Sequence, residues 1–379
     1  MAGCGDGPVV GSHAAVETAA VFPGALHDGP RIPAGFPVSF DSPMAWSGSH
    51  FAKPSDYTIQ LDELDVSEVE SALQHFKALG LDGDLVSRKN FPLPRLEPRL
   101  NQLRREVHQG RGFGLIRGLD PRKYSVEDLT MLYLGIQSYI ANRQGRQDPK
   151  GNMLVHIIAD DSSKAKSAHH RHSTSPITFH NEEAGDIVGW LTRSTAEKGG
   201  RCIIASAYTV YNVMAASRPD LVRTLARSDW PFALPQFQCR PVIFHTEGRL
   251  ITNFGRTALL GSKSHVRPQG LPGLTRSQIE ALDMVERVAK ATQLEMATLP
   301  GDMHVINNLA ILHRREGFVD GKNERRHLVR MRLRDDDMGW QIPPDLSGEW
   351  SRAFEPERPR VWHLEPMPDG YFPLRSQPN

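Results

Sequence analysis

The sequence predicts a mainly β protein with helical insertions, in which a double-stranded β-helix, or jelly-roll, core is flanked by α-helices. Two observations support this fold class. Amphipathic helical patterns with capping signals come early in the chain. From Asp186 onward, short apolar runs separated by turn residues dominate. This order favours a core built from sheets, with the helices packed outside it.

The predicted helices are recognised by their caps and their apolar spacing. The motif SEVE at Ser67 resembles a capping box, and apolar residues follow at helical spacing until Gly80. A second helix is expected after Ser125, and a third near residues 209–227. The motif TRSQ at Thr275 predicts the start of a fourth.

The predicted strands are short and apolar, or alternate between apolar and polar residues. They are Phe113–Ile116, DIVGWL (186–191), RCIIAS (201–206), VIFHT (242–246) and RLITNF (249–254) joined as a hairpin at Glu247-Gly248, HVIN (304–307) and HLVRMRLR (327–334).

The predicted domain organisation is simple. Residues 1–36 are rich in Gly, Ala and Pro without periodicity, so we expect a poorly ordered N-terminal arm. Residues 37–379 show no repeat and no linker, and they are predicted to form a single domain. Its last part, from about residue 341, reads as a Pro-rich tail.

Composition limits the possible partners. The chain has 379 residues, of which 39% are hydrophobic and 23% charged, so it can bury a large core. Because 45 Lys and Arg balance 44 Asp and Glu, no global field attracts polyanions. We therefore expect a small-molecule substrate rather than nucleic acid.

The cysteines and the hydropathy pattern point to a cytoplasmic protein. Cys4, Cys202 and Cys239 are too few and too widely spaced for a disulfide framework or a thiolate zinc site. No basic leader and no run of 18 apolar residues is present, so neither a secretion signal nor a membrane span is expected.

Three His-x-Glu triplets are candidates for part of a metal site, and only one is well placed. His245-Thr246-Glu247 enters a hairpin turn, and His363-Leu364-Glu365 lies in the tail. His180-Asn181-Glu182 precedes a strand, and His313 returns much later in an apolar run. Together they can form a 2-His-1-carboxylate facial triad with open metal positions. Spacing alone leaves open that these histidines are ordinary core or surface residues.

Arginines follow His313 on a predicted strand. Arg326 and Arg330 share one face with Arg332 and Arg334 because side chains two apart point the same way. A guanidinium deep in a barrel can bind a carboxylate with two hydrogen bonds. The pattern is equally compatible with a solvated arginine face.

Together these segments resemble the taurine dioxygenase-like, or clavaminate synthase-like, iron(II)/2-oxoglutarate-dependent oxygenases, in their fungal-type branch. The resemblance runs through PVSFDSPMAWSG, FKALGLDGDLVSRKNFPLP, VHQGRGFGLIRGLDPRKYSVED, GRQDPKGNMLVHI, FHNEEAGDIVGWL, YNVMAASRPDLVRTLA, PGDMHVINNLAILHRREGFVD and ERRHLVRMRLRDD, from residue 37 to residue 336.

The resemblance implies the site and the activity. His180, Glu182 and His313 would ligate Fe(II), Arg326 would clamp the distal carboxylate of 2-oxoglutarate, and Arg330 would contact the same co-substrate. With O2, such an enzyme oxidises a C–H bond of a small molecule and releases succinate and CO2. The substrate would be an amino acid or a natural-product intermediate of secondary metabolism, and the outcome hydroxylation, desaturation or cyclisation.

Two positions depart from the family pattern. Glu182 stands where most relatives have Asp, and Glu183 beside it is expected to point away from the shared face of His180 and Glu182. Cys202 stands where taurine dioxygenase has a hydroxyl residue that helps to bind 2-oxoglutarate. Cys202 is therefore either a weak co-substrate contact or a small buried core residue.

The cluster HHRHS (169–173) could place His170 and His172 against a carboxylate substrate, or it could be a solvated loop. Two other functions stay open at this point. One is a metal-dependent jelly-roll enzyme that does not use 2-oxoglutarate, for which Arg326 would have no role. The other is a non-catalytic jelly-roll binding protein, which would have lost a ligand or the arginine.

Overall fold

Two β-sheets face each other in the computed structural model, which describes residues 32–159, 173–262 and 266–366. The larger sheet is mostly antiparallel, with one parallel pair at its β1 edge. In spatial order it contains β1 (Thr58–Gln60), β2 (Phe113–Arg117), β14 (Met303–Asn307), β6 (Ile187–Ser194), β17 (His327–Arg334) and β3 (Arg143–Gly145), while β4 (Val155–Ile158) pairs with the first half of β17.

The smaller sheet is antiparallel and carries three of the candidate site residues, His180, Cys202 and His313. Its order is β13 (Leu294–Met296), β8 (Cys202–Ser206), β15 (Ile311–Arg315) and β5 (Ile177–His180). Short pairs join β9 (Pro231–Phe232) to β10 (Gln238–Cys239), β11 (Ile243–Thr246) to β12 (Arg249–Thr252), and β7 (Lys198–Gly199) to β16 (Phe318–Val319).

Helices cover the outer faces of both sheets. They are α1 (Glu63–Ala78), α2 (Glu97–His108), α3 (Val126–Gln137), α4 (Ala207–Ser217), α5 (Pro219–Leu225), α6 (Arg256–Leu260), α7 (Arg276–Thr292) and α8 (Pro344–Phe354). The first three pack on the larger sheet, and α4, α5, α7 and α8 belong to the core outside the smaller sheet. The prediction of a sheet-rich protein with flanking helices is confirmed at this level.

The alternation along β17 separates two environments. Val329, Met331 and Leu333 pack against the helices outside the larger sheet. Leu328 belongs to the cluster between the two sheets, where Trp190 of β6 and Ile204 of β8 also lie. Because side chains alternate along a strand, the arginines at even positions of β17 face the same side as Leu328.

Several predicted elements are confirmed. The strand predicted at 327–334 has those bounds, and the hairpin turns at Glu247 and Gly248, both at positive φ. α7 starts after Thr275, whose side chain and that of Gln278 form the expected capping box. α3 begins at Val126, capped by Ser125.

Other predictions need correction. α1 begins at Glu63 rather than after Ser67, because Asp62 and Asp65 form the capping box that starts it. The single helix predicted near 209–227 is two helices, since Pro219 cannot continue α4 and begins α5 instead. α2 was missed altogether.

The segment from about residue 341, predicted to be a Pro-rich tail, contains α8. Leu346, Trp350 and Phe354 of this helix are buried in the core. Beyond it, Leu364 packs against the cluster outside the larger sheet. Within the described ranges, no helix combines the length and the apolarity needed to cross a membrane.

Candidate active site

The predicted metal ligands come together at the end of the smaller sheet. His180 ends β5, and its register partner on β15 is His313. Glu182 follows two residues later, with its Oε1 atom 3.8 Å from His180 Nε2 and 3.7 Å from His313 Nε2. One ligand atom from each residue lies within 4.8 Å of the others. Cross-strand pairing therefore creates the arrangement that the motif spacing suggested.

Two asparagines hold the loop that carries Glu182. The Asn181 side chain donates to the carbonyl of Asn308 at 2.7 Å and accepts from the Phe254 amide at 3.0 Å. The Asn308 side chain accepts from the Glu182 amide at 2.8 Å and donates to the Glu182 and Gly185 carbonyls, both at 3.0 Å. Sequence reasoning missed both roles, although the Asn pair in INNLA, just before His313, was a visible turn signal.

The protonation states fit a metal site. His180 Nδ1 donates to the Thr178 carbonyl at 2.9 Å, which leaves the Nε2 lone pair facing Glu182. Burial, together with the nearby His180, lowers the pKa of His313 to about 4, so its imidazole is neutral at pH 7. Two imidazoles and one carboxylate are the donors of a non-haem Fe(II) site with open positions.

Arg330 lies against one of these ligands. Its Nη1 contacts Oε1 of Glu182, and its Nη2 donates to Oε1 of Gln147 at 3.1 Å. The Arg330 side chain is almost fully buried, as is that of Glu182. Arg330 thus contacts the carboxylate of the candidate ligand Glu182; the predicted contact of Arg330 with the co-substrate stays a prediction.

Arg326 lies elsewhere in the same cavity and has an unused donor. It is 7% exposed, and its Nε donates to the Gly200 carbonyl at 3.3 Å. Its Nη1 is buried and has no hydrogen-bond partner among the described residues. Gly200 has φ +73°, and a Cβ there would lie 2.9 Å from Arg326 Cδ, so this glycine makes room for the guanidinium. The free donor suits a carboxylate ligand.

Cys202 and Arg315 complete this end of the cavity and are register partners on β8 and β15. Burial raises the pKa of the Cys202 thiol to about 12, with partial opposition from Arg326. Arg315, which sequence reasoning missed, donates to the Ser173 and Ser175 carbonyls at 2.6 and 2.5 Å, just before β5. Burial and the neighbouring Arg326 lower its pKa to about 9.

The cavity itself has a volume of about 160 Å³. The three candidate metal ligands, His180, Glu182 and His313, line it together with Arg326. Apolar side chains complete the lining, among them Trp190, Phe232 and Phe254. Such a space can bind a small ligand beside a metal while excluding most water.

The other candidates are not part of this group. Glu183 lies beside Arg332, with 3.7 Å between Oε2 and Nη2, and is not among the three residues that could hold a metal ion. His245 contacts the Gly35 carbonyl, and Glu365 pairs with Arg193 at 3.1 Å, so neither of the other triplets joins the metal group. His170 and His172 fall outside the described residues.

The sequence comparisons agree with this geometry. Residues 53–332 match the family described as taurine catabolism dioxygenase TauD, TfdA family. The chain belongs to this family. It is 34% identical over 340 residues to the taurine hydroxylase-like protein SAT17 of Stachybotrys chartarum, covering 86% of this chain and 88% of that relative. It is 23% identical over 319 residues to FR-33289 synthase of Streptomyces rubellomurinus, covering 80% and 92%.

Solved structures share the fold at low sequence identity. An asparagine oxygenase in complex with Fe(II), 2S,3S-3-hydroxyasparagine and succinate superposes with a TM-score of 0.59 at 18% identity, covering 75% of this chain and 98% of that one. The non-heme iron oxygenase OrfP, in complex with Fe and alpha-ketoglutaric acid, gives 0.55 at 14% identity, covering 74% and 94%. Membership of the dioxygenase family confirms the predicted class, an oxidoreductase that uses iron(II), 2-oxoglutarate and O2.

Proposed function

We propose that this protein oxidises a C–H bond of a small molecule, an amino acid or a natural-product intermediate, with release of succinate and CO2. One observation carries the proposal. The two imidazoles and the carboxylate of His180, Glu182 and His313 share a cavity with Arg326, a buried guanidinium that has a free donor. A binding protein with a decayed site would not need this combination, and a hydrolytic metal enzyme would have no use for Arg326.

Each group has a distinct role in this proposal. His180, Glu182 and His313 hold Fe(II), which, when bound with 2-oxoglutarate and O2, supplies the oxidising power for the C–H bond. Arg326 binds the distal carboxylate of 2-oxoglutarate with its free Nη1 donor. Arg330 holds the Glu182 carboxylate and lines the same cavity as Arg326, where it is proposed to contact the co-substrate as well.

The same proposal extends to the architecture. The two facing sheets are interpreted as a double-stranded β-helix, with the two histidine ligands on the smaller sheet, Glu182 in the loop after β5, and the arginines on or beside β17 of the larger sheet. Residues from 37 onward are interpreted as one oxygenase domain, preceded by an N-terminal arm. The free cysteines Cys202 and Cys239 are consistent with a reducing, cytoplasmic setting.

The known relatives support a small substrate. One solved neighbour is in complex with hydroxyasparagine, and another is in complex with hydroxyarginine. A cavity of about 160 Å³ suits ligands of similar size. Cys202 is proposed as a minor co-substrate contact, and His170 and His172 as substrate contacts.

The test is anaerobic addition of Fe(II) and 2-oxoglutarate to the purified protein, followed by visible spectroscopy and iron analysis. We expect the weak charge-transfer band of a bidentate keto-acid chelate and one tightly bound iron. His180→Ala, Glu182→Ala and His313→Ala should each lose that iron, because a site with three protein ligands cannot lose one cheaply. Glu183→Ala is the matched control and should retain it.

Two results would contradict the proposal. Full iron binding by all three ligand variants would remove the metal assignment. Iron binding without any chelate band would favour the metal-dependent enzyme that does not use 2-oxoglutarate.

A further inference from the structure

A second cavity of about 210 Å³ adjoins the one that contains the metal-ligand group. Glu183 and Pro235 line both cavities, so the two spaces share a wall. We call the second cavity the arginine chamber, because Arg146, Arg332, Arg352 and Arg358 line it. Nothing in the proposed chemistry at the metal uses these four side chains.

Two of these arginines are buried and have unused donors. Arg332 is 3% exposed and Arg146 is 5% exposed. Nε and Nη2 of Arg332, and Nε of Arg146, are buried without a hydrogen-bond partner in the described part of the chain. Leaving charged N–H groups unpaired in a buried site is costly, so a cavity lined by them is suited to bind hydrogen-bond acceptors.

The acidic residues of the chamber do not satisfy these donors. Glu349 is held by Arg240 at 2.7 Å and lies 3.8 Å from Arg352. Glu183 approaches Arg332 only to 3.7 Å, which is an ion-pair distance but not a hydrogen bond. Asp148, the remaining acid, accepts from the Asn152 side chain at 2.6 Å. The other guanidinium nitrogens of Arg332 and Arg146 donate to backbone carbonyls, so in the described part of the chain Nε and Nη2 of Arg332 and Nε of Arg146 are the donors left for a ligand.

The position of the chamber follows from the strand that carries Arg332. Along the inward face of β17, Arg330 contacts the Glu182 carboxylate and Arg332 is the next side chain on that face. Residues two apart on a strand are separated by about 7 Å, so the chamber begins roughly that far beyond the metal-ligand carboxylate. Arg326 lies on the opposite side of Arg330, four residues back along the chain. An acid bound in the chamber would thus leave the Arg326 end free for 2-oxoglutarate.

We propose that the arginine chamber binds the acidic group of the substrate, a carboxylate, phosphonate or phosphate, while the carbon to be oxidised lies in the main cavity beside the metal ligands. This rests on the proposed function and specifies its substrate class: a small molecule with an apolar body and an anionic end. Arg332 is the principal anchor, since two of its nitrogen atoms are free, and Arg146 is the second.

The test uses straight-chain carboxylates as probes on the iron-free protein. Acetate, butanoate, hexanoate and octanoate are titrated by calorimetry, with octanamide as the uncharged match. If the acid binds in the chamber and the chain extends into the main cavity, octanoate should bind at least tenfold more tightly than acetate. Octanamide should bind at least tenfold more weakly than octanoate, because it has no negative charge and offers the guanidinium one acceptor oxygen instead of two.

Four variants locate the bound acid. Arg332→Met should weaken octanoate binding at least tenfold, and Arg146→Met less strongly. Arg193→Met should leave octanoate binding unchanged, because this arginine pairs with Glu365 and lines neither cavity. Arg326→Met shows whether the acid occupies the co-substrate position instead. Should Arg332→Met fail to fold, Arg332→Lys keeps the charge and should still lose affinity, because an ammonium group cannot form the planar two-pronged contact.

The proposal is overturned if octanamide binds as tightly as octanoate, or if affinity does not change with the chain length of the acid. It is also overturned if Arg332→Met binds octanoate as tightly as the wild type. It is also overturned if only Arg326→Met loses octanoate, because the acid would then occupy the co-substrate position. Failure of the proposed function has a different signature. It would show as 2-oxoglutarate binding that does not depend on Arg326, whatever the octanoate titrations give.

Discussion

Burial sets the chemical state of the side chains at the candidate site. It keeps the His313 imidazole neutral, so the ring can donate a lone pair. It also lowers the pKa of Arg326 to about 10, which still leaves the guanidinium charged at pH 7. The same burial keeps the Cys202 thiol protonated. Burial therefore sets the protonation state of the proposed metal ligand, the proposed anion anchor and the thiol.

Arg326 gives the sharpest test at this scale. Arg326→Ala leaves the distal carboxylate of 2-oxoglutarate without its partner, and Arg326→Lys replaces a planar contact with a point charge. We expect Arg326→Ala to cost about 2–4 kcal/mol, or about thirty- to a thousandfold in co-substrate affinity. Arg326→Lys should cost less, and iron occupancy should not change. Anaerobic titration of 2-oxoglutarate into the iron-loaded variants measures the co-substrate affinity, and iron analysis measures the iron occupancy.

The informative contrast is with Arg330. If Arg330→Ala weakens the binding of 2-oxoglutarate while Arg326→Ala binds it like the wild type, the anchor has been assigned to the wrong arginine. If neither variant changes the affinity for 2-oxoglutarate, the assignment of the co-substrate to this cavity is wrong.

Cys202 should behave as a buried, weakly interacting group. Cys202→Ser should keep activity and leave unchanged, or lower, the 2-oxoglutarate concentration needed for half-maximal succinate release, because a hydroxyl is the better hydrogen-bond donor. In a Cys4→Ser background, a thiol reagent should modify the exposed Cys239 quickly and the buried Cys202 slowly. Rapid inactivation that disappears in Cys202→Ser would show an accessible thiol and contradict the buried position.

At the scale of elements, α8 shows how a short helix supports the site from a distance. Trp350 is buried in the core outside the smaller sheet, and its indole N–H donates to Asp186 at 2.6 Å. Glu349 forms a buried ion pair with Arg240, which lines the main cavity. This helix therefore connects the C-terminal part of the described chain to the wall of the main cavity.

Trp350→Ala should destabilise the protein by roughly 3–5 kcal/mol, because it removes a large buried side chain and takes a hydrogen bond from Asp186. Chemical denaturation of the iron-free protein measures the loss in the free energy of unfolding. Ser351→Ala, an exposed position on the same helix, is the control and should stay within about 0.5 kcal/mol of the wild type. A Trp350→Ala protein as stable as this control would mean that α8 does not belong to the core.

For the whole molecule, buried histidines should set the response to acid. Burial lowers the pKa of His108, His156 and His304 to about 4, and that of His327 to about 2. The unfolded chain titrates near pH 6.5, so it takes up protons between pH 6.5 and 4 that the folded chain does not. The stability due to these neutral histidines is therefore complete above pH 6.5 and is lost as the pH falls toward 4. Asp186, whose pKa burial raises to about 6, acts in the opposite direction.

His304→Phe isolates one of these contributions, since the new ring can keep the stacking on Trp190. The iron-free variant should lose less unfolding free energy than the wild type between pH 6.5 and 4.5, by roughly 2 kcal/mol. His75→Gln, at an exposed position on α1, should lose as much as the wild type. Equal losses in all three proteins would mean that His304 carries no share of the acid response.

Local patterns in the sequence determined the elements near the site. The alternation in HLVRMRLR predicted both the bounds of β17 and the inward face of its arginines, because a strand has a period of two. The group of His180, Glu182 and His313 was predicted because ligands on or beside strands can be recognised from a short motif and one later histidine. The starts of α3 and α7 were likewise readable from their caps.

Only the tertiary structure decided which distant groups meet. The segment that forms α8 was predicted to be a tail because its prolines are typical of irregular structure. The helix is stabilised only when its apolar face packs on the core. The contact between Arg330 and Glu182, the Asn308 bonds to the Glu182 loop, and the arginine chamber each join residues more than a hundred positions apart in sequence or on separate elements. Such contacts leave no periodic signal, because they arise from the way two sheets and their helices close around a shared interior.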